Sequence, residues 1–185
     1  NKSNIFEGSA NTSLIYKPND QLTNRLTFAK TNIDRKVNTY ESKQDEYEGD
    51  RKSLIYNGIY NINLDSSLSF GLQTEFDEMD KNKSGQTTEK KEGVQVNSSH
   101  IDFQKRFTKN IYATFGARLD EHSLVGKEDS KRATLAYLFD DKTIKLKTSY
   151  GTGFRFPSIE ESYFIYAAHP NTRETLKAEK SKSFD

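Results

Sequence analysis

The stretch SLSFGLQTEFD, Ser67–Asp77, decides how the chain folds. Its even positions are Leu68, Phe70, Leu72, Thr74 and Phe76, and its odd positions are Ser67, Ser69, Gly71, Gln73, Glu75 and Asp77. Successive side chains of a strand point to opposite faces. One face of this segment is therefore apolar and the other polar, a period of two that marks a half-exposed strand. The split recurs downstream. In HIDFQKRF, Ile101, Phe103 and Phe107 oppose His100, Asp102, Gln104 and Arg106, with Lys105 the exception. In IYATFGARLD, Ile111, Ala113, Phe115, Ala117 and Leu119 oppose Tyr112, Thr114, Gly116, Arg118 and Asp120. In TIKLKTSYG, Ile144, Leu146, Thr148 and Tyr150 oppose Thr143, Lys145, Lys147 and Ser149. LTNRLTFAK, Leu22–Lys30, is a weaker version, and SLIYNGIYNINL, Ser53–Leu64, is apolar on both parities and leaves its facing open.

No window shows a helical period of 3.6 residues. The pattern predicts eight strands, at about 9–17, 21–37, 51–64, 67–78, 95–108, 111–122, 131–139 and 143–153, with a ninth starting at Ser181. Their connections are of two kinds. KPNDQ, LDSS, FTKN and FDDKT carry the Asn, Asp, Pro and Ser of tight hairpins. YESKQDEYEGD (Tyr40–Asp50), DKNKSGQTTEKKEG (Asp80–Gly93), EHSLVGKEDSK (Glu121–Lys131) and the stretch after Gly153 are long and charged. Short turns at one end and long polar loops at the other are the layout of an outer-membrane barrel. Several strand cores run about 9–11 residues, the length that crosses a hydrocarbon layer at a tilt. Tyr16, Phe107, Tyr112 and Phe139 lie beside tight turns, and Tyr150 and Phe154 near the long-loop end, as two aromatic girdles require.

The expected fold is all-β: an antiparallel up-and-down meander of about 8–9 strands, a partial segment of a transmembrane β-barrel over residues 1–185. The polar parity then faces a wet lumen, with Gln73, Glu75, Asp102, Gln104, Arg106, Arg118, Lys145 and Lys147 as lumen-facing candidates. A soluble β-sandwich binding module gives the same alternation. A complete eight-stranded outer-membrane barrel with a structural or adhesion role fits the strand count.

Composition narrows the chemistry. Lys+Arg 28 against Asp+Glu 27 gives a net charge of +1, which offers no electrostatic footprint for nucleic acid. The absence of Cys excludes disulfides and thiolate metal sites. Hydrophobic residues are only 32% of the chain, yet 12% of it is Phe or Tyr, which argues against disorder. No apolar run approaches the roughly 18 residues of a membrane helix. The N-terminus NKSNIFEGSA lacks a signal-peptide pattern, so the chain is either cytoplasmic or begins inside a longer one. His100, His122 and His169 are scattered, and only His100 and Asp102 share a strand face. Asp45, Glu46, Glu48 and Asp50 could offer oxygens to Ca²⁺, but such a run is more often a solvated loop. Asn11-Thr12-Ser13 and Asn97-Ser98-Ser99 match the glycosylation pattern at a rate chance supplies. No nucleophile, base and orienting group assemble, so neither enzymatic activity nor a cofactor is expected.

The last strand runs into YGTGFRFPSIEESY, Tyr150–Tyr163. Gly151 and Gly153 permit backbone angles and close approach that other residues resist. Pro157 ends strand pairing because it has no N–H. Arg155 can bond loop carbonyls or the carboxylates of Glu160 or Glu161. GTG is not a dinucleotide fingerprint, since Phe156 stands where the third Gly belongs. The expected role of this segment is to end a strand and brace a loop.

This segment resembles the signature of TonB-dependent outer-membrane receptors, a strand of the form Y-G-x-G-F-R-A-P-S. After a variable loop, that family has N-P-x-L-K-P-E-x-S-x-S-x-E, and here RETLKAEKSKSFD, Arg173–Asp185, follows. Tyr150, Gly151, Gly153, Phe154, Arg155, Pro157 and Ser158 match, as do Leu176, Lys177, Glu179, Ser181, Ser183 and the acidic Asp185. Phe156 replaces the usual Ala, Ala178 the usual Pro, and Arg173-Glu174 the usual Asn-Pro. IYATFGARLDEHS and RATLAYLF are also similar to the segments preceding the signature. The resemblance covers about Phe103–Asp185, and the earlier half matches by architecture alone.

The resemblance implies a barrel of about 22 strands around an N-terminal plug, in the outer membrane of a Gram-negative bacterium. Such receptors import scarce nutrients (siderophore-bound iron, cobalamin or haem) with energy from TonB. The expected partners are outer-membrane lipid, a small nutrient ligand and, through the plug, the TonB complex. This chain shows no plug and no closing C-terminal strand, so it reads as an internal fragment of the wall. GARLDEHSLVG leans toward cobalamin-type and siderophore receptors.

Overall fold

The computed structural model describes residues 2–39, 43–82, 92–139, 143–165 and 176–185. Nine antiparallel strands form one sheet in chain order. They are β1 Lys2–Tyr16, β2 Leu22–Thr39, β3 Lys43–Asn63, β4 Ser66–Asn82, β5 Glu92–Arg106, β6 Ile111–His122, β7 Gly126–Leu138, β8 Lys145–Arg155 and β9 Glu179–Phe184. A short helical turn of π type, Glu160–Ile165, follows β8. The expected ninth strand is present, two residues earlier than read. Because β8 pairs onward with β9 and not back to β1, the described sheet is open and does not close at eight strands.

The register carries the alternation across the sheet. Leu22 faces Tyr60, Tyr60 faces Leu68, and the row continues through Phe103, Phe115, Ala133 and Tyr150 to Phe184. Directly opposed residues project to the same side. One residue along, Ser69, Asp102, Gly116, Arg132, Gly151 and Ser183 form a polar row on the other face. The register also resolves β3. Leu54, Tyr56 and Tyr60 join the apolar face, whereas Ile55 and Ile59 lie with Gln73 and Ser69 on the polar one. Those two isoleucines are why the sequence of β3 looked apolar on both parities.

Among the described residues, nothing covers the apolar face. Leu72 is 61% exposed, Phe115 51% and Leu135 50%. Among the described residues, buried apolar side chains are Val94, Ala113 and Ala178. A β-sandwich buries its apolar rows under a second sheet, and the described residues form only one. The polar face is the crowded side: Asp120 and His122 are each 3% exposed while Leu119, next to Asp120 on the other face, is 47% exposed. A sheet curled toward its polar face produces this contrast.

Two expected loops are strand. Lys43–Asp50 lies within β3, paired through the ladder up to Thr39 and Lys43. Glu121–Lys131 lies mostly in β6 and β7, with Ser123–Val125 as the turn and Gly126 at φ 92° completing the reversal. These outer strand ends carry charge on both faces, so they lack the apolar stripe that betrays a strand. β1 likewise begins at Lys2, and β7 at Gly126, earlier than read. Of Asp80–Gly93, residues 83–91 lie outside the described residues, as does His169. Tyr112 is a correction too: it is opposed to Arg106 and Ala136, so it faces the polar side and belongs to no outer girdle.

Packing on the apolar face depends on Gly58, whose Cβ position is filled by the Phe70 ring of the opposed residue. Gly58→Val is expected to displace that ring and destabilise the full-length barrel by about 1–3 kcal/mol. Gly8 has only one Phe6 ring atom within reach of a Cβ, 3.8 Å away, so Gly8→Ala serves as the neutral control. Unfolding midpoints in lipid vesicles check both.

Candidate functional site: the polar face and the signature turn

All eight lumen-facing candidates share one face by register. Gln73 opposes Ser98, Glu75 opposes Val96, Gln104 opposes Ser67, and Arg118 opposes His100 on that side. Arg106 opposes Tyr112, Tyr112 opposes Ala136, and Ala136 opposes Lys147, which brings β8 into the same set; Lys145 is two residues from Lys147.

Among the described residues, three ion clusters organise this face. Arg51 grips Asp77 with Nε and Nη2, both at 2.6 Å, and lies 3.6 Å from Glu75. Arg118 donates to Asp120 Oδ2 at 2.8 Å and to Ser98 Oγ at 2.9 Å, and Ser98 Oγ donates to Asp120 Oδ1 at 2.5 Å. Asp102 on β5 accepts from Arg132 Nε and Nη2 at 3.0 and 2.8 Å, although β6 runs between their strands. That bridge crosses Gly116, which sits between Asp102 and Arg132 in the register. A Cβ on Gly116 would collide with Asp102 Oδ1 and press on Arg132. Glycine is therefore the residue that lets two strands exchange charge over a third. Arg106 pairs instead with Asp65 in the β3–β4 turn. Lys145 and Lys147 stand exposed toward the short turns.

Arg51 and Arg132 escaped the sequence reading. Arg132 lies on β7, and its alignment with Asp102 depends on the register of both strands against β6, which has no local mark in the sequence. Arg51 opens the β3 core, whose facing was open. The acidic run of β3 divides between two faces. On β3, Asp45 alternates to the face opposite Glu46, Glu48 and Asp50. Glu46 is bound by Lys36 at 2.8 Å, and Asp50 accepts from Asn32. Among the described residues no group of three His, Asp or Glu is placed to hold a metal.

The two halves of the signature are the two sides of one ladder. Gly151 opposes Ser183, Gly153 opposes Ser181 and Arg155 opposes Glu179. A Cβ on Gly153 would sit 3.1 Å from Ser181 Oγ, so close approach explains this glycine. Backbone angle does not, because positive φ among the described glycines occurs at Gly126. Arg155 forks onto Glu179 at 3.2 and 3.3 Å and reaches Glu161 Oε1 at 3.1 Å. Of the two acids considered for Arg155 from sequence, Glu161 is thus a partner.

Past Pro157, Ser158 and Glu161 make a capping box. Glu161 N–H donates to Ser158 Oγ at 3.2 Å and Ser158 N–H donates to Glu161 Oε2 at 2.7 Å. Each satisfies a backbone donor that the helix start leaves orphaned. Phe156, the departure from the family's Ala, packs its ring 4.8 Å from His122 and 5.0 Å from Phe154. Tyr163 donates to Gly93 O at 3.1 Å. The turn is thereby tied to strands β5 and β6. Leu176 and Lys177 lead through the buried Ala178 into β9.

Hydrogen bonding from the Ser158 N–H, then from its hydroxyl and from Arg155, holds the Glu161 carboxyl below the ordinary range. A carboxylate with a lowered folded pKa stabilises above its unfolded value, about 4.3. That stabilisation disappears as pH falls through the lowered folded value. Ser158 amide protection in hydrogen exchange is therefore expected to drop on acidification below that point, and Glu161→Gln to remove the pH response. An unchanged response in the variant contradicts the capping box. For the arch, a double-mutant cycle of Asp102→Asn and Arg132→Gln is expected to show coupling of about 0.5–3 kcal/mol. Repeated on a Gly116→Val background, the coupling should vanish.

The TonB dependent receptor-like β-barrel profile matches residues 2–185. No curated protein matches the chain. Among solved structures, the chain is similar to the ferric citrate transporter FecA in its unliganded form, at 14% identity and a TM-score of 0.62, covering 96% of this chain and 31% of that one. It is similar to the copper transporter OprC at 11% identity and a TM-score of 0.62, covering 98% and 42%. It is similar to the RagAB peptide transporter at 19% identity and a TM-score of 0.58, covering 83% and 23%. These likenesses are of fold, and the chain spans well under half the length of each of these proteins. With its profile matched over nearly every residue and the signature ladder in place, the chain belongs to the TonB-dependent receptor β-barrel family.

Proposed function

We propose that this chain forms part of the wall of an outer-membrane receptor that takes up a scarce nutrient with energy delivered through TonB. The observation that carries the reading is the single curled layer with bare Leu, Ile and Phe rows outside and paired ions inside. Hydrocarbon tolerates such rows, and it demands that backbone groups be satisfied within the sheet. Gln73, Glu75, Asp102, Gln104, Arg106, Arg118, Lys145 and Lys147 then line a wet lumen in the outer membrane of a Gram-negative bacterium.

A plug, the strands that close the barrel and the segment that contacts TonB belong to other parts of the receptor in this reading. The signature residues from Tyr150 to Ser158 and from Leu176 to Ser183 act as framework, fixing β8 against β9 and the turn against the rim. Siderophore-bound iron is the first candidate nutrient, supported by the similarity to the ferric citrate transporter and to the siderophore receptor PirA from Pseudomonas aeruginosa, at a TM-score of 0.56 and 14% identity. Cobalamin and haem are the alternatives to test beside it.

Uptake of labelled ferric siderophores, cobalamin and haem should be compared in cells with and without the full-length protein. The expected result is uptake of one class that stops when an uncoupler collapses the proton-motive force, while surface binding persists. Uptake of all three that is indifferent to the protein contradicts the proposal.

A further inference from the structure

The chain after β8 is held to the polar face at one histidine. The other face of β6 is apolar from Ile111 to Leu119 and then reaches Glu121. His122, the last residue of β6, therefore lies beyond the apolar stretch, toward the long turns. Its side chain shares the polar face with Arg118 and Asp120, and the residue is 3% exposed. Two contacts enclose it. Nδ1 accepts from the Leu124 N–H at 3.1 Å, inside the turn to β7. The imidazole also lies 4.8 Å from the ring of Phe156. Phe156 is this chain's departure from the family's Ala, and an Ala has no ring to lay on the imidazole.

Both contacts suit a neutral imidazole. Nδ1 needs its lone pair to accept from Leu124, and a proton placed there removes it. Burial disfavours the charged form and holds His122 below its ordinary value, with the field of Asp77 opposing. The carboxylates around it are engaged elsewhere. Asp77 on β4 is gripped by Arg51 on β3. Asp120 on β6 is held by Arg118. Glu128 on β7, opposed to Asp120, lies 2.6 Å from Lys180 on β9. On the turn after β8, Glu161 is bound by Arg155 and by the Ser158 N–H, and Glu160 is exposed. The residues directly opposed to His122 are Val96 on β5 and Gly126 on β7, which carry no charge. Asp77, Asp120, Glu128 and Glu161 thus each hold a cation already. The turn has one further tie to the wall, from Tyr163 O–H to Gly93 O at 3.1 Å, and its Ser162 is 1% exposed. Of the groups in this contact, the imidazole is the one whose ordinary titration lies near neutral pH.

We propose that His122 and Phe156 form a proton-sensitive latch: the neutral imidazole holds the signature turn against β5 and β6, and protonation releases it. A free imidazole titrates at about 6.5. Because the enclosed form titrates lower, closure is complete above about 6.5 and weakens as pH falls below it. Release takes up one proton, so the open fraction grows by up to about tenfold per pH unit. The Glu161 carboxylate stays charged down to pH 5, so its capping box persists and the turn moves as a unit. The latch adds regulation by acidity to the rim and does not depend on which nutrient is imported.

The test places a single cysteine at Ser162 in the full-length receptor and measures labelling by a water-soluble maleimide from pH 8 to pH 5. A second protein carries the cysteine at the exposed Glu160, and the ratio of the two rates cancels the titration of the thiol itself. The ratio is expected to be low and flat above about pH 6.5 and to rise below it, by up to about tenfold per pH unit. With His122→Gln the ratio should not change with pH. With Phe156→Ala it should already be high at pH 8. A flat ratio in the unaltered receptor overturns the proposal, as does a rise that persists in His122→Gln. A Phe156→Ala protein as protected at pH 8 as its parent also overturns it. The readout involves no cargo, so its failure and a failure of the uptake reading are separate results.

Discussion

The structure depends on backbone pairing within one layer. In the membrane setting proposed above, no water satisfies an N–H or C=O, so each strand must bond to both neighbours. Pairing fixes register, and register fixes which side chains share a face. A slip of one residue in β5 would carry Asp102 outward among Phe70 and Phe115 and Phe103 inward. The long row from Leu22 to Phe184 shows that no such slip occurs across eight strands. Parity is thus inherited from one strand to the next.

Curvature then treats the two faces differently. The convex side has room, so its aromatic and aliphatic residues stand exposed. The concave side brings side chains together, and its charges meet. Asp120 is nearly enclosed and is held by Arg118 and Ser98. Removing one partner from an enclosed ion pair is far costlier than the pair's net contribution. Crowding also creates the need for Gly116, because an ion pair that spans three strands requires a residue without a side chain in the middle. At the rim the same logic continues through Gly153 beneath Ser181 and through Arg155 between Glu161 and Glu179.

Much of this was legible in the sequence, because an alternating strand announces both its type and its facing. Ser67–Asp77 and Ile111–Asp120 did so without ambiguity. Legibility failed where both faces meet water. Lys43–Asp50 and Gly126–Lys131 are strand, yet their composition is that of loops. It failed again at β3, where Ile55 and Ile59 point inward, a fact only the neighbouring strands reveal. Ion pairs such as Asp102 with Arg132 depend on register between segments thirty residues apart, and the sequence holds no local mark of it. Signature residues were recognisable by resemblance, but their pairing of glycine with serine across β8 and β9 is a property of the ladder.

The most direct test is to place single cysteines along β4 of the full-length receptor, from Leu68 to Phe76, and measure reactivity toward a lipid-soluble and a water-soluble maleimide. The account predicts a strict alternation, with Leu68, Phe70, Leu72 and Phe76 taking the lipid-soluble reagent and Ser69, Gln73 and Glu75 the water-soluble one. Equal labelling of both parities, or protection of the Leu and Phe positions from both reagents, would contradict it.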